Sequence, residues 1–112
     1  MRERIKLLAG QFLQRCSGDA TSMRALLARL GNSDAKVFDA RAFEELEHLA
    51  HRICGTGASL GFESLSKCAA AIERLAEGQA GAAAVDKEAV RRLVECVVAL
   101  EHEVDRLIHA NA

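Results

Sequence analysis

At 112 residues the chain is long enough for one domain with an ordinary core, and its formal net charge of −1 gives no electrostatic attraction to nucleic acid or an anionic membrane. Half of the residues are hydrophobic (50%), yet only four are aromatic, all Phe, and proline is absent; with Ala, Leu, Arg and Glu abundant, this points to a single all-α domain over residues 1–112. No run approaches the ~18 apolar residues of a membrane span, and Met1-Arg2-Glu3-Arg4 does not open a secretory signal, so a cytoplasmic protein is expected.

In chain order, Ile5, Leu8 and Phe12, with Leu7 and Leu13 beside them, space as a helix from Arg2 to about Arg15, weakened at Gly10. Ser17-Gly18-Asp19 carries capping chemistry and reads as a break. A second helix follows, with Met23, Leu26, Leu27 and Leu30 as its stripe. Gly31-Asn32-Ser33-Asp34 ends it and offers Ser33 or Asp34 as the next N-cap. A long helix from about Ala35 to Leu60 is entered through Val37, Phe38, Ala42 and Phe43. Gly61 then stands where a helix ends in the left-handed conformation. The next helix, Phe62 to about Ala76, aligns Leu65, Cys68, Ala69, Ile72 and Leu75. Gly78-Gln79-Ala80-Gly81-Ala82 is a short linker, and Asp86 caps the last helix. There Val90, Leu93, Val97, Leu100, Val104 and Leu107 step by three and four, with Val94, Val98 and Ile108 widening the seam. Four amphipathic helices preceded by a fifth read as an antiparallel four-helix bundle with an extra N-terminal helix. Cys16, Cys54, Cys68 and Cys96 all fall inside these helices without a C-x-x-C pair. Cys16, Cys68 and Cys96 are expected to pack as small hydrophobes, not as disulfides.

Within the long helix, Leu46, Leu49, Ala50, Ile53, Gly57 and Leu60 share the core face. His51 lies ~150° from the centre of that stripe. Glu44, His48 and Gly55 share its outer face, with Ala58 to one side. An interior Gly costs about 1 kcal/mol relative to Ala, and Gly55 brings no packing in return because it faces outward. It gives instead a flat spot where another molecule's backbone can approach an exposed imidazole, a nucleophile that is partly neutral near physiological pH.

Ala50-His51-Arg52-Ile53-Cys54-Gly55-Thr56-Gly57-Ala58, followed by Gly61 and Phe62, resembles the signature of histidine-containing phosphotransfer (HPt) domains. Ile53, Gly55, Thr56, Gly57 and Gly61 fit the family's spacing, whereas the position usually held by Lys is Cys54. The resemblance implies the helical layout above and a carrier that is not itself an enzyme. His51 would accept a phosphoryl group from a receiver-domain aspartate or from a sensor histidine kinase, hybrid or otherwise, and exchange it with a response-regulator receiver. It further implies that the side chain 22 positions after the histidine, here Glu73, orients the imidazole. Glu73 sits about 100° from the stripe of its helix, placed to reach across a groove or, alternatively, to pair at the surface with Arg74 or Lys67. Gly55, Cys54, His48, Arg52, Ala58 and Lys67 form the expected receiver-docking surface. No cofactor is expected in this monomeric chain, because magnesium and in-line geometry belong to the partner's acidic site.

With a thiol in place of the usual Lys, three outcomes stand open. The partner supplies the positive charge, transfer is slow, or the chain is a phosphorylation-incompetent docking module for receivers or a kinase. Arg52 and Lys67 are the nearest candidates to compensate, although Arg52 projects about 100° around the helix from His51. A metal site of His48, His51 and Cys54 is disfavoured, since three successive turns of one straight helix rarely converge on one ion and no fourth ligand is placed. A purely structural adaptor would use the last helix's seam for a partner, but the bundle core needs that seam first. His102 and His109 have no partner pattern, and no nucleophile–base set or glycine-rich phosphate loop supports hydrolytic or redox catalysis.

Overall fold

The computed structural model describes residues 2–32, 40–79 and 85–111, and among them every regular element is an α-helix. These are α1 (Arg2–Asn32), α2 (Ala40–Ser59), α3 (Glu63–Glu77) and α4 (Lys87–Asn111). They enclose an elongated body of 52 × 20 × 17 Å.

The first two expected helices are one. α1 runs unbroken through Ser17-Gly18-Asp19, so the expected break and the separate N-terminal helix are both absent. Three local facts account for this. The apolar stripe continues across the supposed gap, with Phe12, Leu13, Cys16, Ala20, Met23, Leu27 and Leu30 all buried. The hydroxyls of Thr21 and Ser22 donate back to the carbonyls of Ser17 and Gly18, each at 3.2 Å, and so do not cap a new helix. Asp19, the third residue with capping chemistry, turns instead toward Arg52 of α2, 3.6 Å away. Continuous tertiary burial overrides weak local breakers.

At its N-terminal end α1 departs from the sequence pattern a second time. Ile5, Leu7 and Leu8 are exposed, at 55, 62 and 51%. The stripe that is actually covered begins at Ala9 and Phe12, whose ring stacks on Phe62 with centroids 6.2 Å apart.

α2 follows its sequence pattern closely. Ala42, Phe43, Leu46, Ala50, Ile53 and Gly57 are buried, with Leu49 and Leu60 half-buried at the flank. The expected entry through Val37 and Phe38, and the Ser33 or Asp34 cap, lie outside the described residues. The exit is as expected: Gly61 has φ +86°, the one described glycine with positive φ. Its N–H donates to the Ala58 carbonyl (3.2 Å) while that of Phe62 donates to the Gly57 carbonyl (2.8 Å). This double bond pattern ties off the last carbonyls of α2 and sends the chain directly into α3.

In α3, Leu65, Ala69, Ile72 and Ala76 are buried. In α4, Val90, Leu93, Val97, Leu100 and Val104 form the seam as expected, while Val94 is 40% exposed and does not widen it. Asp86 caps α4, its Oδ1 accepting from the N–H groups of Glu88 and Ala89 at 3.0 and 3.4 Å. Gly78 and Gln79 close α3, and the remainder of the expected linker lies outside the described residues.

Each helix packs on two others: α2 most extensively on α3, α1 on α4, then α3 on α4 and α1 on α2. Among the described residues the backbones of α1 and α3, and of α2 and α4, do not approach closely, and all four helices contribute to one common core. That core holds Leu13, Met23, Leu46, Ile53, Leu65, Ile72, Leu93 and Leu100, and no described polar or charged residue is buried in it. Polar ties stay at the rim, where Arg24 Nε reaches Glu101 and Ser64 Oγ reaches Glu103, each at 2.6 Å.

Cys16 is buried, and Cys54, Cys68 and Cys96 are half-buried against the core; all four thiols are free. Burial pushes the Cys16 thiol up to about 12, with Asp19 adding to the effect. Burial likewise raises the thiols of Cys68 and Cys96.

Candidate functional site

His51 occupies the outward face of α2 with three quarters of its side chain (75%) exposed. The ring is nonetheless fixed: Nδ1 lies 2.6 Å from Glu73 Oε2, across the groove between α2 and α3. A carboxylate accepts but does not donate, so the bond assigns the ring proton to Nδ1, which donates to Glu73. The lone pair of Nε2 then points away from Glu73 and is free for chemistry. Glu73 itself is largely covered, at 24% exposure, so its reach across the groove is held by packing. It is not a solvated partner of Lys67, which pairs with Glu63 at 3.4 Å.

The pairing follows from the hairpin geometry. Where α2 advances from His51 to Cys54, its partners on α3 recede from Glu73 to Ser66. Ser66 Oγ donates to the Cys54 carbonyl at 2.9 Å and lies 3.3 Å from Cys54 Sγ. The Cys54 thiol is therefore turned toward α3, half-buried, on the same flank of α2 as Glu73. Arg52 lies on the opposite flank, toward α1, beside Asp19.

Of the remaining sequence-picked positions, His48, Arg52 and Gly55 share clefts with His51. His48, Gly55, Ala58, Arg52 and Lys67 are all exposed. A Cβ placed on Gly55 would meet nothing within 4 Å, so the helix surface there is open as well as flat. His48, His51 and Cys54 do not gather a metal, and no group of three or more His, Cys, Asp or Glu among the described residues is arranged to hold one.

Two clefts meet at His51. On one side it shares a cleft with Glu44, Glu47, His48 and Glu73, an acidic wall. On the other it shares a cleft between α1 and α2 with Arg15, Asp19, Arg52 and Thr56, where basic groups predominate. Of these, Thr56 fits the family spacing, whereas Arg15, Asp19 and Glu47 were not singled out as site residues by the sequence pattern. The signal for Arg15 and Asp19 was present: they are four apart on one face of α1, but that face is recognisable only once the helix is seen to be continuous.

The structure is thus a bundle of α-helices that presents, on its second helix, an exposed histidine paired with a carboxylate from the third. A family model described as the Hpt domain matches residues 7–110, nearly the whole chain, and the chain belongs to that family. Hpt domains serve histidine phosphotransfer in two-component phosphorelays, alongside receiver domains and kinases. Comparison with curated proteins and with solved structures returned no significant match. No described helix is long and apolar enough to cross a membrane.

Proposed function

We propose that this chain carries a phosphoryl group on Nε2 of His51 and exchanges it with receiver-domain aspartates, acting as a cytoplasmic phosphorelay intermediate. The observation that carries this reading is the 2.6 Å contact between Nδ1 and Glu73 on a ring that is otherwise open to solvent. A histidine buried for stability would be covered, and one left free at the surface would not be oriented. Here the ring is both held and presented.

The step balances simply. The Nε2 lone pair attacks phosphorus of a partner's aspartyl phosphate, and the P–O bond to the aspartate breaks with its electron pair returning to the carboxylate. The ring gains positive charge as the N–P bond forms, and the Nδ1 proton, shared with Glu73, spreads that charge. Reversal passes the group on. Glu73 is a positioning residue, because it touches the ring and not the phosphoryl group. The partner's acidic site supplies the metal and the in-line geometry; His48, Gly55, Ala58, Arg52 and Lys67 supply the exposed surface against which it closes.

The test uses a receiver domain charged with labelled phosphate, incubated with wild type and with His51→Gln. Acid-labile label on wild type and none on the variant supports the carrier. A folded, helical wild type that takes no label from any receiver or kinase overturns it and leaves a docking module.

A further inference from the structure

A phosphoryl group on His51 brings two negative charges to a ring whose near side is already acidic. Glu73 touches it, and Glu44 and Glu47 line the same cleft. Without a facing cation the phosphorylated state would be penalised by like-charge repulsion. Position 54 does not provide one, and its thiol is in any case turned to Ser66 on the α3 flank.

The opposite cleft does. Arg15 of α1 and Arg52 of α2 both line it together with His51. Arg52 is partly neutralised by Asp19 at 3.6 Å. Arg15 makes no ion pair among the described residues, so its guanidinium keeps its full donor capacity. Guanidinium is the side chain best matched to phosphoryl oxygens, offering paired N–H donors in a fixed plane. His51 lines this cleft and Glu73, which engages Nδ1, does not.

Resting on the carrier reading above, we propose that Arg15, reaching from α1, binds the phosphoryl group carried on His51, with Arg52 beside it. The cation is thus supplied from the α1 flank of the histidine helix and not from the α3 flank. Arg15 acts on the transferred group itself, so it favours the phosphorylated carrier over the phosphorylated partner.

The full-length chain is compared as wild type, Arg15→Gln, Arg15→Lys and, as a remote loss of the same charge, Arg92→Gln on α4. Each is equilibrated with a labelled receiver, and the partition of label and the lifetime of the isolated phosphorylated chain are read. Circular dichroism and thermal melting establish that each variant folds. Loss of one charged hydrogen-bonding partner is expected to shift the partition about tenfold toward the receiver in Arg15→Gln. Arg15→Lys should recover part of the shift, and Arg92→Gln should behave as wild type. A folded Arg15→Gln with wild-type partition and lifetime overturns this inference while leaving His51 as the carrier. A wild type that accepts no label overturns both, and the two failures are thereby told apart.

Discussion

Gly55 is where local stability and the proposed docking surface pull in opposite directions. It lies in mid-helix, exposed, with open space where a side chain would project. The structure therefore offers no steric reason for glycine, and glycine disfavours helix by about 1 kcal/mol relative to Ala. Gly55→Ala and Gly55→Arg should both raise the unfolding free energy, by roughly 0.5–1 kcal/mol, as read by thermal or denaturant melting. Only Gly55→Arg should block transfer, because its side chain stands where the partner's backbone closes. A Gly55→Arg protein that transfers at the wild-type rate would remove the docking surface from the account. At this scale the outward face of His51 was legible in helical periodicity, whereas Glu73 was picked out by the family resemblance, 22 positions after the histidine, and periodicity added only that it flanks its helix. The direction of Cys54 was not: its half-burial against Ser66 depends on how α3 lies in the groove, which one helix's pattern does not specify.

The elements were legible wherever a stop signal was backed by geometry that only one residue type satisfies. Gly61 is such a case, and its φ of +86° places it in the left-handed region that costs other residues roughly 1–2 kcal/mol. Gly61→Ala should lower the unfolding free energy by that amount in denaturant titration, although an added Cβ there would touch nothing. A neutral result would mean that the turn relaxes without strain. Ser17-Gly18-Asp19 shows the contrary case. Its residues tolerate helix, their polar groups find partners within or beside it, and the buried stripe from Phe12 to Leu30 passes straight through. Ile5 and Leu8 had the right spacing for a core face but lie at the end of α1, where they remain uncovered. Spacing identifies a face; it does not identify how far the neighbouring helices extend to cover it.

For the molecule as a whole, the apolar interior and the charged rim respond differently to pH. The Arg106 guanidinium, and after it the Ser64 hydroxyl, hold the Glu103 carboxyl below its ordinary value of 4.5. A carboxyl lowered in the folded state stabilises the fold above that ordinary value, and the contribution is lost as pH falls through the lower folded value. Unfolding followed across acid pH should therefore show stability declining below about pH 4.5, with a shallower decline in Glu103→Gln. An unchanged acid limb would show that the Ser64–Glu103–Arg106 group on the α3–α4 rim does not couple to folding. Composition alone marked the chain as helical, and the four-sided packing of its helices was foreshadowed by the short turns. The joining of α1 to the basic cleft was not, because it depends on a helix that the local signals at Ser17-Gly18-Asp19 divide.

The bond between His51 and Glu73 also has a hereditary side. Its two ends are 22 residues apart within one hairpin, joined only through Leu60-Gly61-Phe62 between α2 and α3. Residues 33–39 and 80–84 lie outside the segment that closes the pair. Descendants of this chain can gain or lose residues there without altering the register of histidine and glutamate. A single residue added inside α2 after His51, or inside α3 before Glu73, would instead shift the helical phase by about 100°, carrying imidazole and carboxylate out of register across the groove. Keeping the imidazole oriented therefore constrains the lengths of the two helical runs that connect His51 to Glu73.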